Sequence, residues 1–146
     1  MYDLMIIGSG PAGISAALTA KARNLNFIWF GSRALSTKIE KAEKIMNYPG
    51  LPAVTGSEMQ SVFLKQIDDC GITITESQVN SIYDCGGYFA AGADNEIYEA
   101  KAVIMTVGMT TTREIEGEAR LLGCGVSYCA TCDGACLLYT SDAADD

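Results

Sequence analysis

The 146-residue chain contains no histidine. That absence removes Ser-His-Asp and Cys-His catalysis and every zinc site that needs an imidazole, and it leaves Cys, Asp, Glu, Lys, Tyr or a bound cofactor to carry any chemistry. Long apolar runs are missing too: no stretch approaches the roughly 18 residues of a membrane-spanning helix. Met1-Tyr2-Asp3 leads straight into Leu4-Met5-Ile6-Ile7 without the charged region and cleavage site of a secretory signal, so no membrane association and a cytoplasmic location are expected. Positive charge is scarce, with 10 Lys and Arg against 18 Asp and Glu and a net charge of −8. A phosphate-tracking surface for nucleic acid is therefore disfavoured. What remains, 49% hydrophobic and 19% charged residues, suits one soluble globular core and is too short for two full domains.

Along the chain, the apolar run 3–7, the string Gly8-Ser9-Gly10-Pro11-Ala12-Gly13 and the Ala-rich stretch 12–22 read as strand, glycine turn and helix. Asn24-Leu25-Asn26 break the helix before Phe27-Ile28-Trp29-Phe30, a second short strand ended by Gly31. The whole is a βαβ unit of about thirty residues. Residues 32–53 read as an irregular connection closing in the turn Asn47-Tyr48-Pro49-Gly50-Leu51-Pro52. Thr55 followed by Glu58 is a capping-box signature, and Met59, Val62, Phe63, Gln66 and Ile67 continue at helical spacing to Cys70-Gly71. Short runs at 72–75, 78–84, 88–91 and 97–100, split by glycine-bearing turns, suggest an antiparallel meander. Residues 102–107 form a further buried-strand run stopped by Gly108, and 109–117 read as a linker. The aromatic residues Tyr88, Phe89 and Tyr98 are expected in the core.

Two motifs carry chemistry. A Gly-x-Gly-x-x-Gly turn between strand and helix lets backbone approach a pyrophosphate, whose charge rests on free amides at the helix N-terminus. Gly8, Gly10 and Gly13 fit that role. No acidic residue ends the second strand, where Phe30-Gly31-Ser32 stands, so ribose recognition by a carboxylate at that point is not supported. The second motif is Cys129-Ala130-Thr131-Cys132-Asp133. Two cysteines so spaced at a helix start can close a disulfide, the helix dipole favours a thiolate, and Asp133 is the one adjacent group able to carry a proton. A dinucleotide turn and a Cys-x-x-Cys in one chain suggest electrons passing from a bound flavin to a disulfide. Cys124-x4-Cys129-x2-Cys132, with Cys136 as a fourth ligand, also matches an iron-sulfur spacing. Cys70, Cys85 and Cys124 read as small core residues.

With these residues in view, Gly-Ser-Gly-Pro-Ala-Gly after an N-terminal strand, Asn47-Tyr48-Pro49-Gly50, and Gly125-Val126-Ser127-Tyr128-Cys129-Ala130-Thr131-Cys132-Asp133-Gly134 resemble low-molecular-weight thioredoxin reductases over residues 1–135. The resemblance implies an α/β fold: a truncated Rossmann-like FAD-binding domain with a central parallel sheet, helices on one side and an antiparallel β-meander on the other. It implies FAD held by Gly8, Ser9, Gly10, Pro11, Ala12, Gly13 and Gly31, with Asn47 near the isoalloxazine and Val79 beside the adenine. Thr106 and Gly108 would complete the flavin contacts, although Val107 departs from the family's alanine in that turn. It implies catalysis by Cys132 facing the flavin, Cys129 exchanging with thioredoxin, and Asp133 as acid-base group, in a homodimeric parent. The loop Ala34-Leu35-Ser36-Thr37-Lys38 replaces the family's usual Gly-Gly-Gln and resembles clostridial-type relatives, so the donor is NADPH or ferredoxin. Residues 1–115 would be the incomplete FAD-binding domain, 116–136 the start of the NAD(P)-binding and redox-disulfide domain, and 137–146 an artefactual tail. A non-catalytic flavin- or nucleotide-binding module is the alternative.

Overall fold

The computed structural model describes residues 1–108, 116–121, 124 and 126. Its contacts form two units: Met1–Glu43 with Thr55–Gly108, and Lys44–Val54 with Met109–Asp146.

The first unit runs β1 (Tyr2–Ile7), α1 (Pro11–Ala22), β2 (Phe27–Phe30), α2 (Thr37–Glu40), α3 (Gly56–Asp69), β3 (Val79–Asp84), β4 (Phe89–Ala93) and β5 (Glu96–Met105). Its five strands make one sheet in the order β2-β1-β5-β4-β3. The β1 strand is parallel to both neighbours, and β5-β4-β3 is the antiparallel meander. Leu4 to Ile7 can be apolar without alternation because both faces of β1 are covered. Met5, Ile7, Ile28 and Phe30 point to one face, where they form a core with Ala91 and Ala93 of β4 and Ala100 of β5. The meander covers this face. Its alanines allow close approach, and Tyr98 sets its ring edge-on to Phe30 at 5.0 Å between centroids. Leu4, Ile6 and Trp29 alternate to the other face, which takes the helices through Ile14, Ala17 and Ala20 of α1 and Met59, Phe63 and Ile67 of α3, all buried. Each fully buried side chain of that size contributes about 1.5–3 kcal/mol relative to exposure.

The element ends follow local chemistry. Pro11 opens α1, where its missing N–H costs nothing and its fixed φ suits the helix. Arg23 closes α1, and Asn24 turns left-handed at φ 53. The capping box of α3 forms as expected: Glu58 N donates to Thr55 Oγ1 at 3.3 Å, and Thr55 N donates to Glu58 Oε2 at 2.8 Å.

Five expectations are corrected. The runs 97–100 and 102–107 are one ten-residue strand, β5, which pairs antiparallel with β4 through Ala100 and parallel with β1 from Ala100 onward. Lys101 does not interrupt it, because its ammonium lies outside and meets Asp3 at 2.7 Å. Residues 72–75 do not make a strand of their own. Only Thr75 bridges to Phe30, since the chain has just left α3 with Ile72 buried. Residues 32–53 contain the one-turn α2, capped by Ser36 Oγ accepting from Ile39 N at 3.4 Å. Cys70, Cys85 and Cys124 are exposed thiols rather than core residues, because each sits at an element end. Cys70 closes α3, Cys85 begins the β3–β4 turn, and Cys124 N bonds back to Leu121 O. The three aromatic residues expected in the core are half-buried, and among them Tyr98 packs against the meander core.

In the second unit, Ile45 N donates to Val54 O at 2.7 Å and closes the loop between them, inside which Leu51 N donates to Tyr48 O at 3.2 Å. Gly50 takes φ +82 in that turn. A further short helix, α4 (Glu118–Leu121), follows Gly117.

Candidate functional site

Strands β2, β1 and β5 end together, with Ile7 paired to Phe30 on one side and Met105 on the other. The glycine turn leaves the sheet at this carboxyl edge. In open α/β sheets this is the edge at which ligands bind.

Gly8 N donates to Phe30 O at 2.8 Å, so the turn begins as a last rung of the sheet. Gly8 O accepts from Trp29 Nε1 at 2.9 Å and from Thr106 Oγ1 at 3.0 Å. Thr106 Oγ1 also lies 3.0 Å from Ile7 O, so one hydroxyl is shared between two carbonyls. At φ +112 Gly8 has a conformation that side chains avoid, and an added Cβ would strike the Thr106 carbonyl. Ser9 is buried, donates to Leu35 O at 3.1 Å and accepts from Ser32 N at 3.0 Å. Gly31 leaves room for it, since a Cβ there would lie 2.7 Å from Ser9 Oγ.

The two remaining glycines have opposite surroundings. A Cβ on Gly13 would strike Gly8 O and come within 2.9 Å of Thr106 Oγ1, so Gly13 lets α1 lie against the turn. A Cβ on Gly10 would meet no atom of the described residues within 4 Å. Packing among the described residues therefore accounts for Gly13 and not for Gly10. Gly10 is the N-cap of α1 and supplies no side-chain cap, and the first turn carries no acidic residue. Ile14 N bonds to Gly10 O at 3.0 Å and Pro11 has no N–H, which leaves the amides of Ala12 and Gly13 at the helix start without an intrahelical acceptor. Open space, free amides and the positive end of a twelve-residue helix suit an anion lying against backbone. The helix start at this turn therefore fits a dinucleotide pyrophosphate.

The turn itself carries no titratable side chain. Charges cluster beyond the carboxyl end of β2, where Arg33 meets Asp68 of α3 and Glu76 of the α3–β3 connection. Arg33 grips Asp68 through two nitrogens at 3.0–3.1 Å. Hydrogen bonding from that guanidinium holds the Asp68 carboxyl below the usual carboxylate range, and Asp68 in turn raises Arg33.

Gly8, Ser9, Gly10, Pro11, Ala12, Gly13, Gly31 and Thr106 are thus brought together at one edge, and Gly108 follows two residues on at φ +67. Val79 starts β3 and packs against the core under the meander. Asn47 is exposed and belongs to the second unit. Cys129, Cys132, Asp133 and Cys136 lie outside the described residues. Among the described residues no group of His, Cys, Asp or Glu could hold a metal ion, and no helix is long and apolar enough to cross a membrane. Trp29 and Leu35 act in the turn without having been singled out. The only available signal was the indole N–H, which needs a partner when it is buried in a strand.

The family model for pyridine nucleotide-disulphide oxidoreductases matches residues 2–137. A thioredoxin reductase of Bacillus subtilis (strain 168) is 32% identical over 136 residues, covering 92% of this chain and 43% of the relative. Among solved structures, a ferredoxin-flavin thioredoxin reductase of Clostridium acetobutylicum is 47% identical with a TM-score of 0.74, covering 92% of this chain and 47% of that one. A thioredoxin reductase of Streptococcus pyogenes MGAS5005 is 36% identical with a TM-score of 0.77, covering 92% and 44%. The chain spans less than half the length of each of these relatives. With the family match running over nearly the whole chain, and with the glycine turn read from the sequence standing at the carboxyl edge of the sheet, the chain belongs to the pyridine nucleotide-disulphide oxidoreductase family.

Proposed function

We propose that this chain supplies the FAD-binding part of a reductase that transfers electrons to the disulfide of thioredoxin or a thioredoxin-like protein. The observation that carries the reading is the glycine turn, in which Gly10 faces open space while Gly8, Gly13 and Gly31 are filled by neighbouring atoms. Gly8 to Gly13 would hold the FAD pyrophosphate on the amides of Ala12 and Gly13. Thr106 and Gly31 keep the turn in shape, with Gly108 near the flavin, Val79 beside the adenine and Asn47 near the isoalloxazine. Bound FAD would supply a two-electron relay between donor and disulfide. In the protein half of the chemistry, Cys132 is the inner sulfur, Asp133 gives the proton that the departing sulfur of Cys129 requires as the Cys129–Cys132 disulfide opens, and Cys129 then exchanges with the partner's disulfide. The proposed division is 1–115 for the flavin domain, 116–136 for the start of the nucleotide and redox-disulfide domain, and 137–146 as an artefactual tail. A cytoplasmic homodimer is the proposed state of the complete protein.

Gly10→Val tests the reading in the full-length protein that carries this sequence. Gly10 has φ −71 and ψ −179, a conformation valine adopts, and a Cβ there would meet no atom of the described residues within 4 Å. The apoprotein should therefore fold while flavin retention after dialysis is lost. Stoichiometric flavin in this variant would refute the assignment.

The 47% identity to the clostridial ferredoxin-flavin enzyme favours a second reading of the donor, reduced ferredoxin in place of NADPH. Anaerobic flavin bleaching by one donor and not by the other decides between them.

A further inference from the structure

The sequence leaves the second strand without the carboxylate that usually receives the ribose of a dinucleotide, since Phe30-Gly31-Ser32 stands there. The fold delivers a carboxylate to the same place from elsewhere. Thr75, arriving from α3, pairs in parallel with Phe30: its N–H donates to Trp29 O at 2.7 Å and its carbonyl accepts from Gly31 N at 3.1 Å. The next residue is Glu76. Its Oε1 accepts from Arg33 N at 2.9 Å, just beyond the carboxyl end of β2.

That end is fastened to the glycine turn, because Ser32 N donates to Ser9 Oγ at 3.0 Å and Gly31 lies directly on Ser9. Glu76 is exposed, and Oε2 makes no hydrogen bond among the described residues. Arg33, which Asp68 and, through space, also Glu76 raise, keeps its guanidinium on Asp68 at 3.0–3.1 Å. The chain therefore presents a carboxylate oriented by a backbone amide, with one oxygen open, beside the turn proposed to hold the pyrophosphate.

We infer that Glu76 is the residue that binds the adenosine ribose hydroxyls of FAD, replacing from the α3–β3 connection the acid missing at the end of β2. A carboxylate oxygen accepts and ribose hydroxyls donate, so the pairing is chemically matched. The inference deepens, and rests on, the reading of Gly8 to Gly13 as the pyrophosphate site.

The test measures dissociation constants by flavin fluorescence on the full-length apoprotein, for FAD and for an FAD analogue whose adenosine ribose lacks the 2′,3′-diol. Glu76→Ala should weaken FAD on the order of tenfold or more, as expected for a hydrogen bond to a charged group, and should bind the analogue as the unmodified protein does. Glu76→Gln keeps an acceptor for Arg33 N and should fall between the two. Equal weakening of FAD and analogue by Glu76→Ala would mean that Glu76 only holds the Arg33 loop, and would overturn the inference. Undiminished FAD binding would overturn it as well. Gly10→Val in the same titration separates the two levels. If it binds FAD normally, the underlying site is wrong; if it loses FAD while Glu76→Ala does not, only the ribose assignment fails.

Discussion

Gly13→Ala isolates the packing that shapes the turn. In an ordinary helix interior this change is favourable by about 1 kcal/mol, because alanine restricts the unfolded chain. Here the new methyl would strike the carbonyl of Gly8, and a backbone carbonyl cannot rotate away as a side chain can. Moving the carbonyl would loosen its bonds from Trp29 Nε1 and Thr106 Oγ1, at 2.9 and 3.0 Å, each worth about 0.5–1.5 kcal/mol net. Overpacking adds about 1–3 kcal/mol. The balance is a loss of about 3 kcal/mol, or roughly 6–12 °C in melting temperature at about 2–4 °C per kcal/mol. Thermal unfolding of the full-length apoprotein by circular dichroism measures it, with Gly10→Ala as control. The control places its methyl in open space and should stay within about 1 kcal/mol, the range of N-cap changes. A Gly13→Ala melt within 2 °C of the unmodified protein, by the same order-of-magnitude conversion, would refute the argument. So would a Gly10→Ala melt as low as that of Gly13→Ala.

Thr55→Ala should destabilise α3 by about 1 kcal/mol through loss of the cap, read as a lower urea midpoint. The same bonds make stability depend on acid pH. The amide and then the hydroxyl of Thr55 lower Glu58, hydrogen bonding from Lys101 lowers Asp3, and hydrogen bonding from Arg33 lowers Asp68. Carboxylates with depressed folded-state values stabilise above their unfolded values near about 4 and lose that contribution as pH falls through the folded ones. The urea midpoint should thus fall below about pH 4, less steeply in Thr55→Ala; a midpoint flat from pH 5 to pH 3 would contradict this. For the proposed redox pair, Cys129→Ser in the full-length protein should leave a sulfur at 132 that perturbs the flavin absorption spectrum, and Cys132→Ser should not. Both should lose thioredoxin reduction, and equal spectra would defeat the assignment of inner and outer sulfurs.

Elements built from near neighbours in the chain were legible before any coordinates. The β1 run, α1 through Ala22, β2 ending at Gly31, and the Thr55–Glu58 cap each depend on residues within a turn or a strand of one another, and they lie where the pattern put them, α1 starting one residue earlier at Pro11. The glycine turn was legible for the same reason: its six residues are contiguous. What each glycine does was not legible, because the atoms that decide it come from elsewhere. Thr106 is 98 residues from Gly8, and Ser9 is 22 from Gly31.

The rest was decided by tertiary structure. Whether 97–100 and 102–107 are two strands or one depends on β5 having β4 on one side for its first half and β1 on the other for its second, and a linear pattern of apolar residues does not record which neighbour a strand bonds to. Residue type alone placed Cys70, Cys85 and Cys124 in the core, whereas their positions at element ends expose them. Glu76 is the clearest case. In the sequence it is one acidic residue in a polar connection, 46 residues after Phe30. Only the parallel bridge between Thr75 and Phe30 brings its carboxylate to Arg33 N at the end of β2. Local propensity and periodicity act through neighbouring residues, so the sequence by itself determined β1, α1, β2, the cap of α3 and the phosphate-type turn. The side chains that gather around that turn are set by strand pairing across the sheet, which exists only in the folded chain.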